Sequence, residues 1–141
     1  PVIASHANAR ALLGSASGER HFTDEAIRAL AARDSVMGIV PFNTFLKTSW
    51  NKEDPNDTIP MQALVEQIDY VCQLTGSARH VSFGTDFDGG FGYLSVPEGI
   101  NSIADMQKMA PLLTDAGYKQ EDIENIFAKN WQRVLESALP V

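Results

Sequence analysis

Cysteine is nearly absent: one residue, Cys72, in 141. That excludes a disulfide within the chain and a zinc site built from cysteines. Positive charge is also scarce, with 11 Lys and Arg against 18 Asp and Glu and a net charge of −7. An acidic balance argues against a nucleic-acid surface and against attraction to anionic lipid. No apolar run approaches the ~20 residues of a membrane span. There is no glycine-rich phosphate loop, no repeat of fixed sequence and no low-complexity segment. No methionine opens the chain, which starts at Pro1 and runs straight into an apolar segment. It reads as a cut or processed chain in which no targeting segment is visible, with a soluble, cytoplasmic location as the expectation.

What is present is ordinary for a globular protein, 44% hydrophobic and 21% charged. The length suits one domain or a piece of one. Pro1 to His6 reads as a short buried strand, followed by a loop with Gly14 and Gly18. Thr23 is a good N-cap, with Asp24 and Glu25 in the first turn and Ile27, Leu30 and Ala31 at helical spacing. Val36 to Val40 is a second apolar run, ended by Pro41. Asn43 to Pro60 reads as a loop with at most one short turn. Met61, Leu64, Ile68, Val71 and Cys72 form a helical stripe that Gly76 stops. Arg79 to Asp86 is the third strand. After a long loop, Ser102 caps a stripe of Ile103, Met106, Met109 and Leu113, with a kink or break expected at Pro111. Gly117 ends it. A last helix carries Ile123, Ile126, Phe127, Val134 and Leu135 on one side.

The order is strand, helix, strand, helix, strand, helix, helix. Short apolar strands without polar alternation are buried on both faces, which points to an α/β fold with a parallel sheet covered by helices. An open doubly wound sheet and part of a (β/α)₈ TIM barrel both fit. Three parallel strands alone would leave two apolar edges unpaired. A whole barrel takes ~250 residues. Residues 1–141 are therefore expected to be a single-domain fragment, the C-terminal part of a barrel with about three βα units and a closing helix.

Polar residues collect where the strands end, and barrel chemistry sits at those ends. His6 closes the first strand. In the stretch from Val81 to Gly90, Asp86 and Asp88 arrive as the third strand gives way to glycines. Residues two apart on a strand share a side, although chain leaving the strand can redirect the second. His6 and Asp86 are expected to face one cavity. Imidazole nitrogen and carboxylate oxygen suit Zn²⁺, and a catalytic zinc takes about three protein ligands. His6 is the good candidate here. His21 and His80 are weaker, one in a loop and one at the far end of its strand. Arg20 is suited to a bidentate carboxylate clamp. Ser5 and His6 are adjacent and would point apart on a strand, so no Ser-His-Asp arrangement is expected.

Four segments, in order, resemble the membrane dipeptidase family, peptidase family M19. Pro1-Val2-Ile3-Ala4-Ser5-His6-Ala7-Asn8 resembles its Pro-Val-Ile-x-Ser-His-Ser-Asn strand end. Arg20-His21-Phe22-Thr23-Asp24 resembles its Arg-Asn-Leu-Thr-Asp segment. Gly84-Thr85-Asp86-Phe87-Asp88-Gly89 resembles its Gly-Ser-Asp-Phe-Asp-Gly strand end. Lys129-Asn130-Trp131-Gln132-Arg133-Val134 resembles its closing Gly-Asn-Phe-x-Arg-Val helix.

The resemblance implies a metal-dependent barrel that hydrolyses dipeptides with a binuclear zinc site. His6 matches a metal ligand. Arg20 matches the arginine that binds the substrate's terminal carboxylate. Asp86 matches the aspartate near the metals and the substrate's amino end, with a catalytic and a substrate-binding role. The remaining ligands are implied to lie upstream of Pro1, so the chain alone would be inactive. Implied partners are the dipeptide and the missing N-terminal part of the barrel; a homo-oligomer is compatible with both, and no nucleic acid is implied. Asp88 is expected to shape the loop. Departures from the pattern are His21 for the usual asparagine, Gln67 where many members have histidine, and Lys119 where a Ser or Thr cap often opens the last helix.

Overall fold

The computed structural model describes residues 2–14 and 18–139. Its centre is a short parallel pair, β1 (Met37–Ile39) and β2 (Val81–Phe83), in the register Met37↔Val81, Gly38↔Ser82, Ile39↔Phe83. The first apolar segment joins β1 through one parallel bridge, Ala4↔Met37. The expected strand over residues 1–6 is thus reduced to a single paired residue; Pro1 lies outside the described residues. Val2 and Ile3 are 46% and 45% exposed rather than buried. The chain bends at Ser5 and His6, and the Ser5 carbonyl folds across the neighbouring strands. A Cβ on Gly38 or Gly84 would stand 2.2 or 2.0 Å from that oxygen, so both positions need glycine.

Helices cover the sheet. α1 (Asp24–Ala31) is capped as expected, the Thr23 hydroxyl accepting the Ala26 amide at 3.3 Å. α2 (Gln62–Thr75) buries Leu64, Val65, Ile68, Val71 and Cys72, and ends at Gly76 in the left-handed region. Both strands are enclosed, with Val36 to Val40 and Val81 almost fully buried. Pro111 does not break its helix. A 3₁₀ segment (Ile103–Lys108) precedes α3 (Met109–Asp115), so the proline falls in the first turn of α3, where an amide has no helical partner to lose. The expected last helix is α4 (Gln120–Glu124) and α5 (Asn130–Ala138), joined by a π segment (Asn125–Lys129). In that segment the Ser82 hydroxyl donates to the Ile126 carbonyl, tying the widened turn to β2. Ile126 and Val134 are buried, whereas Leu135 is exposed.

The outer edge of β2 is not bare. Asn130 donates to the carbonyls of Ala78 at 2.7 Å and Val81 at 2.8 Å. The Trp131 indole donates to the Phe83 carbonyl at 2.9 Å. Side chains of α5 therefore satisfy carbonyls that point away from β1, a role that strand pairing would otherwise fill.

Candidate functional site

Parallel strands put their C-terminal ends on one rim, and the segments that leave Ala4, β1 and β2 carry His6, Phe42 to Phe45 and Asp86. The Asp86 carboxylate lies 4.0 Å from His6 Nε2. Both side chains are part-exposed, at 33% and 39%. His6 and Asp86, more than 70 residues apart in sequence, are thus brought together as the strand-end argument expected. His6 Nδ1 is hydrogen-bonded to the Ser5 hydroxyl at 2.9 Å. Adjacent residues on an extended strand would point apart; the bend at Ser5 and His6 lets these two meet. The bond occupies Nδ1 and leaves Nε2 facing Asp86, the usual way one imidazole nitrogen is held while the other is offered.

Asp86 does not sit on a strand. β2 ends at Phe83, and Asp86 has φ of 52°, left-handed backbone that is uncommon for a residue with a Cβ. Side-chain alternation therefore does not pair Asp86 with Asp88, which is exposed. Asp86 also does the loop-shaping assigned to Asp88, its carbonyl accepting the Gly89 amide at 2.8 Å. A Cβ on Gly89 would fall 2.7 Å from the Asp86 carboxylate, so this glycine makes room for the acid.

Arg20 is exposed, and its guanidinium carbon lies 4.8 Å from the centre of the Phe45 ring. The neighbouring His21 is buried and packs edge-on against that ring at 4.9 Å. Burial, with Arg20 and Arg10 adding repulsion, lowers the His21 pKa from its ordinary value, which favours the uncharged ring. Arg10 donates from Nε to the His21 carbonyl at 3.0 Å. His80 lies at the opposite end of the sheet, hydrogen-bonded to the Ser35 carbonyl at 3.1 Å.

Sequence reasoning assigned no work to Asn8 or Phe45. Asn8 is fully buried; its Oδ1 accepts the Val40 amide at 2.9 Å and its Nδ2 donates to the carbonyls of Val40 at 3.2 Å and Phe45 at 3.0 Å. It pins the segment after His6 to the one after β1. The signal available was a polar residue in an apolar stretch two positions beyond the histidine. Gln67, a departure from the family pattern, accepts the Ala9 amide at 2.7 Å and fixes the same segment from α2. Phe42, Trp50, Lys52, Gly90 and Phe91 help line an open cleft of about 380 Å³ between the loops after β1 and β2.

The donor chemistry of His6 and Asp86 fits zinc. The described residues nonetheless hold no group of three or more His, Cys, Asp and Glu that could bind a metal ion.

The model of the membrane dipeptidase family, peptidase family M19, matches residues 1–140. The chain belongs to that family. Among its relatives, an uncharacterized Klebsiella pneumoniae protein in the pqqA 5′ region is 31% identical over 97% of the chain, and a dipeptidase of Aspergillus oryzae, aclJ, is 28% identical over 96%. A Rhodobacter sphaeroides metallopeptidase, solved with a phosphinate mimic of the dipeptide L-Ala-D-Ala, superposes with a TM-score of 0.80 at 23% identity over 99% of the chain. The probable dipeptidase PvdM of Pseudomonas aeruginosa superposes with a TM-score of 0.78 at 21% identity over 94%. At those identities the superpositions establish a shared fold. The M19 chain spans only 46% of the Klebsiella protein, 29% of the Aspergillus dipeptidase and 36% of the Rhodobacter peptidase.

Proposed function

We propose that this chain is the C-terminal part of a zinc-dependent dipeptidase whose site is completed by further strands of a (β/α)₈ barrel. The observation that carries the reading is the meeting of His6 and Asp86, 4.0 Å apart at the strand ends of an M19 chain. His6 is the metal ligand, oriented by Ser5. A bound binuclear zinc centre would supply a polarised carbonyl and a water acidic enough to ionise near neutral pH. Arg20 receives the substrate's terminal carboxylate and turns binding energy into orientation. Asp86 holds the substrate ammonium or takes a proton from the attacking water. Its left-handed backbone and the space left by Gly89 keep the carboxylate facing His6.

The chain spans less than half of the length of these relatives, which supports the reading that it is inactive alone. The experiment is dipeptide hydrolysis by the intact protein, with and without Arg20→Ala. A fall in kcat/KM of about 100-fold is expected for loss of a carboxylate clamp. An unchanged kcat/KM would sink the assignment of Arg20 and, with it, the dipeptide reading.

A further inference from the structure

Arg20 lies in a loop and is exposed, and none of its nitrogens makes a hydrogen bond or ion pair with the described residues. A long side chain in that setting samples many rotamers, and ordering it on substrate binding costs free energy. Its defined contact is the face of Phe45, 4.8 Å from ring centre to guanidinium carbon. The ring is itself fixed from several sides. His21 meets it edge-on, Phe42 packs against it at 4.8 Å, and Phe42 stacks on Phe91 at 4.7 Å in the loop that follows Asp86. Asn8 holds the Phe45 carbonyl. Burial and the two neighbouring arginines lower the His21 pKa, which disfavours a second cation beside the guanidinium.

We infer that Phe45 is a positioning residue: its ring is a rigid platform that pre-orders the Arg20 guanidinium for the substrate's terminal carboxylate. The inference rests on the proposed role of Arg20 and goes beyond it. A guanidinium held over an aromatic face by cation–π attraction spends none of its N–H donors on the ring, so the platform positions the clamp without consuming them. The Phe45–Phe42–Phe91 contacts also connect the platform to the loop bearing Asp86, which sets both ends of a short substrate from one packed unit.

The test uses the intact protein and two substrates, a dipeptide and its C-terminal amide, which lacks the charged carboxylate. Phe45→Leu and Phe45→Met remove the π face while largely keeping apolar volume; Phe45→Trp keeps the face. Phe45→Leu and Phe45→Met should lower kcat/KM for the dipeptide about fivefold, mainly through KM, and leave the amide unchanged. Phe45→Trp should retain the wild-type ratio between the two substrates. Arg20→Ala serves as the reference and should lose far more on the dipeptide than on the amide. An equal fall on both substrates in the Phe45 variants, or no fall on either, overturns the inference while leaving Arg20 in place. A Phe45→Trp variant that loses the ratio overturns it too, independently of how the smaller variants fold. If Arg20→Ala fails to separate the substrates, the carboxylate reading falls first and takes the platform with it.

Discussion

The two ends of the sheet are built differently. At the N-terminal end, before β1 and β2, charges are matched within the chain. Arg79 grips Asp34 with two hydrogen bonds, at 2.6 and 2.7 Å, and Arg133 of α5 adds an ion pair to the same carboxylate at 2.8 Å. Arg133 also donates to the carbonyls of Asp34 and Arg79. At the C-terminal end His6 and Asp86 stand at 4.0 Å, a separation too long for a hydrogen bond, and Arg20 rests on a ring rather than on an acid. One end grips a carboxylate between two arginines; at the other, His6, Asp86 and Arg20 are held near one another's segments without being paired off. In parallel α/β folds the first pattern belongs to stability and the second to function.

Exchanging one residue at a time should expose that contrast. The largest effect is expected at the rim. His6→Ala and Asp86→Asn in the intact protein should each lower dipeptide kcat/KM about 100-fold or more while leaving the melting temperature within a few degrees. A matching collapse of thermal stability would make them structural. Next comes the sheet between the two ends. Gly84→Ala forces a Cβ against the Ser5 carbonyl and should cost about 3 kcal/mol in denaturant unfolding, since backbone must move. Asn130→Ala leaves the carbonyls of Ala78, just before β2, and of Val81 without that donor and should cost about 2 kcal/mol.

The smallest effect belongs to the N-terminal end. Asp34→Asn should cost at most about 1 kcal/mol, because the cluster is solvent-screened and asparagine tolerates the left-handed backbone at this position, and should leave kcat/KM unchanged. The Arg79 hydrogen bonds lower the Asp34 pKa below its ordinary value. The folded state therefore binds the proton less readily than the unfolded state. This contribution is present above the unfolded carboxylate pKa and is lost as pH falls through the folded one. Melting curves taken downward from pH 5 should converge for wild type and Asp34→Asn. Parallel curves would remove Asp34 from the account of stability.

Much of this was legible in the sequence. Thr23 and Gly76 marked helix boundaries because caps are local chemistry, and β1 and β2 were marked by short apolar runs containing β-formers. The meeting of His6 and Asp86 follows from strand ends sharing a rim. The misreadings have physical causes. Residues 2–6 have strand composition, yet Gly38 and Gly84 leave room for the Ser5 carbonyl, and the chain bends over them. That close approach is visible only when all three segments are placed together. Asp86 was read with strand periodicity, but its left-handed backbone lies beyond the strand. The capping of the β2 edge by Asn130 and Trp131 depends on a contact across about 50 residues, which no local pattern encodes. Phe45 carries no local signal, because its contacts with Arg20 and His21 exist only in the folded chain.

The central claim is that the rim of this chain forms part of a metal-dependent dipeptidase site. Elemental analysis of the intact protein, repeated after His6→Ala, tests it most directly. About two zinc per chain, falling in the variant together with dipeptide hydrolysis, is the result expected for a binuclear site that uses His6. Metal content indifferent to His6, or a wild-type protein without metal that still hydrolyses dipeptides, would contradict it.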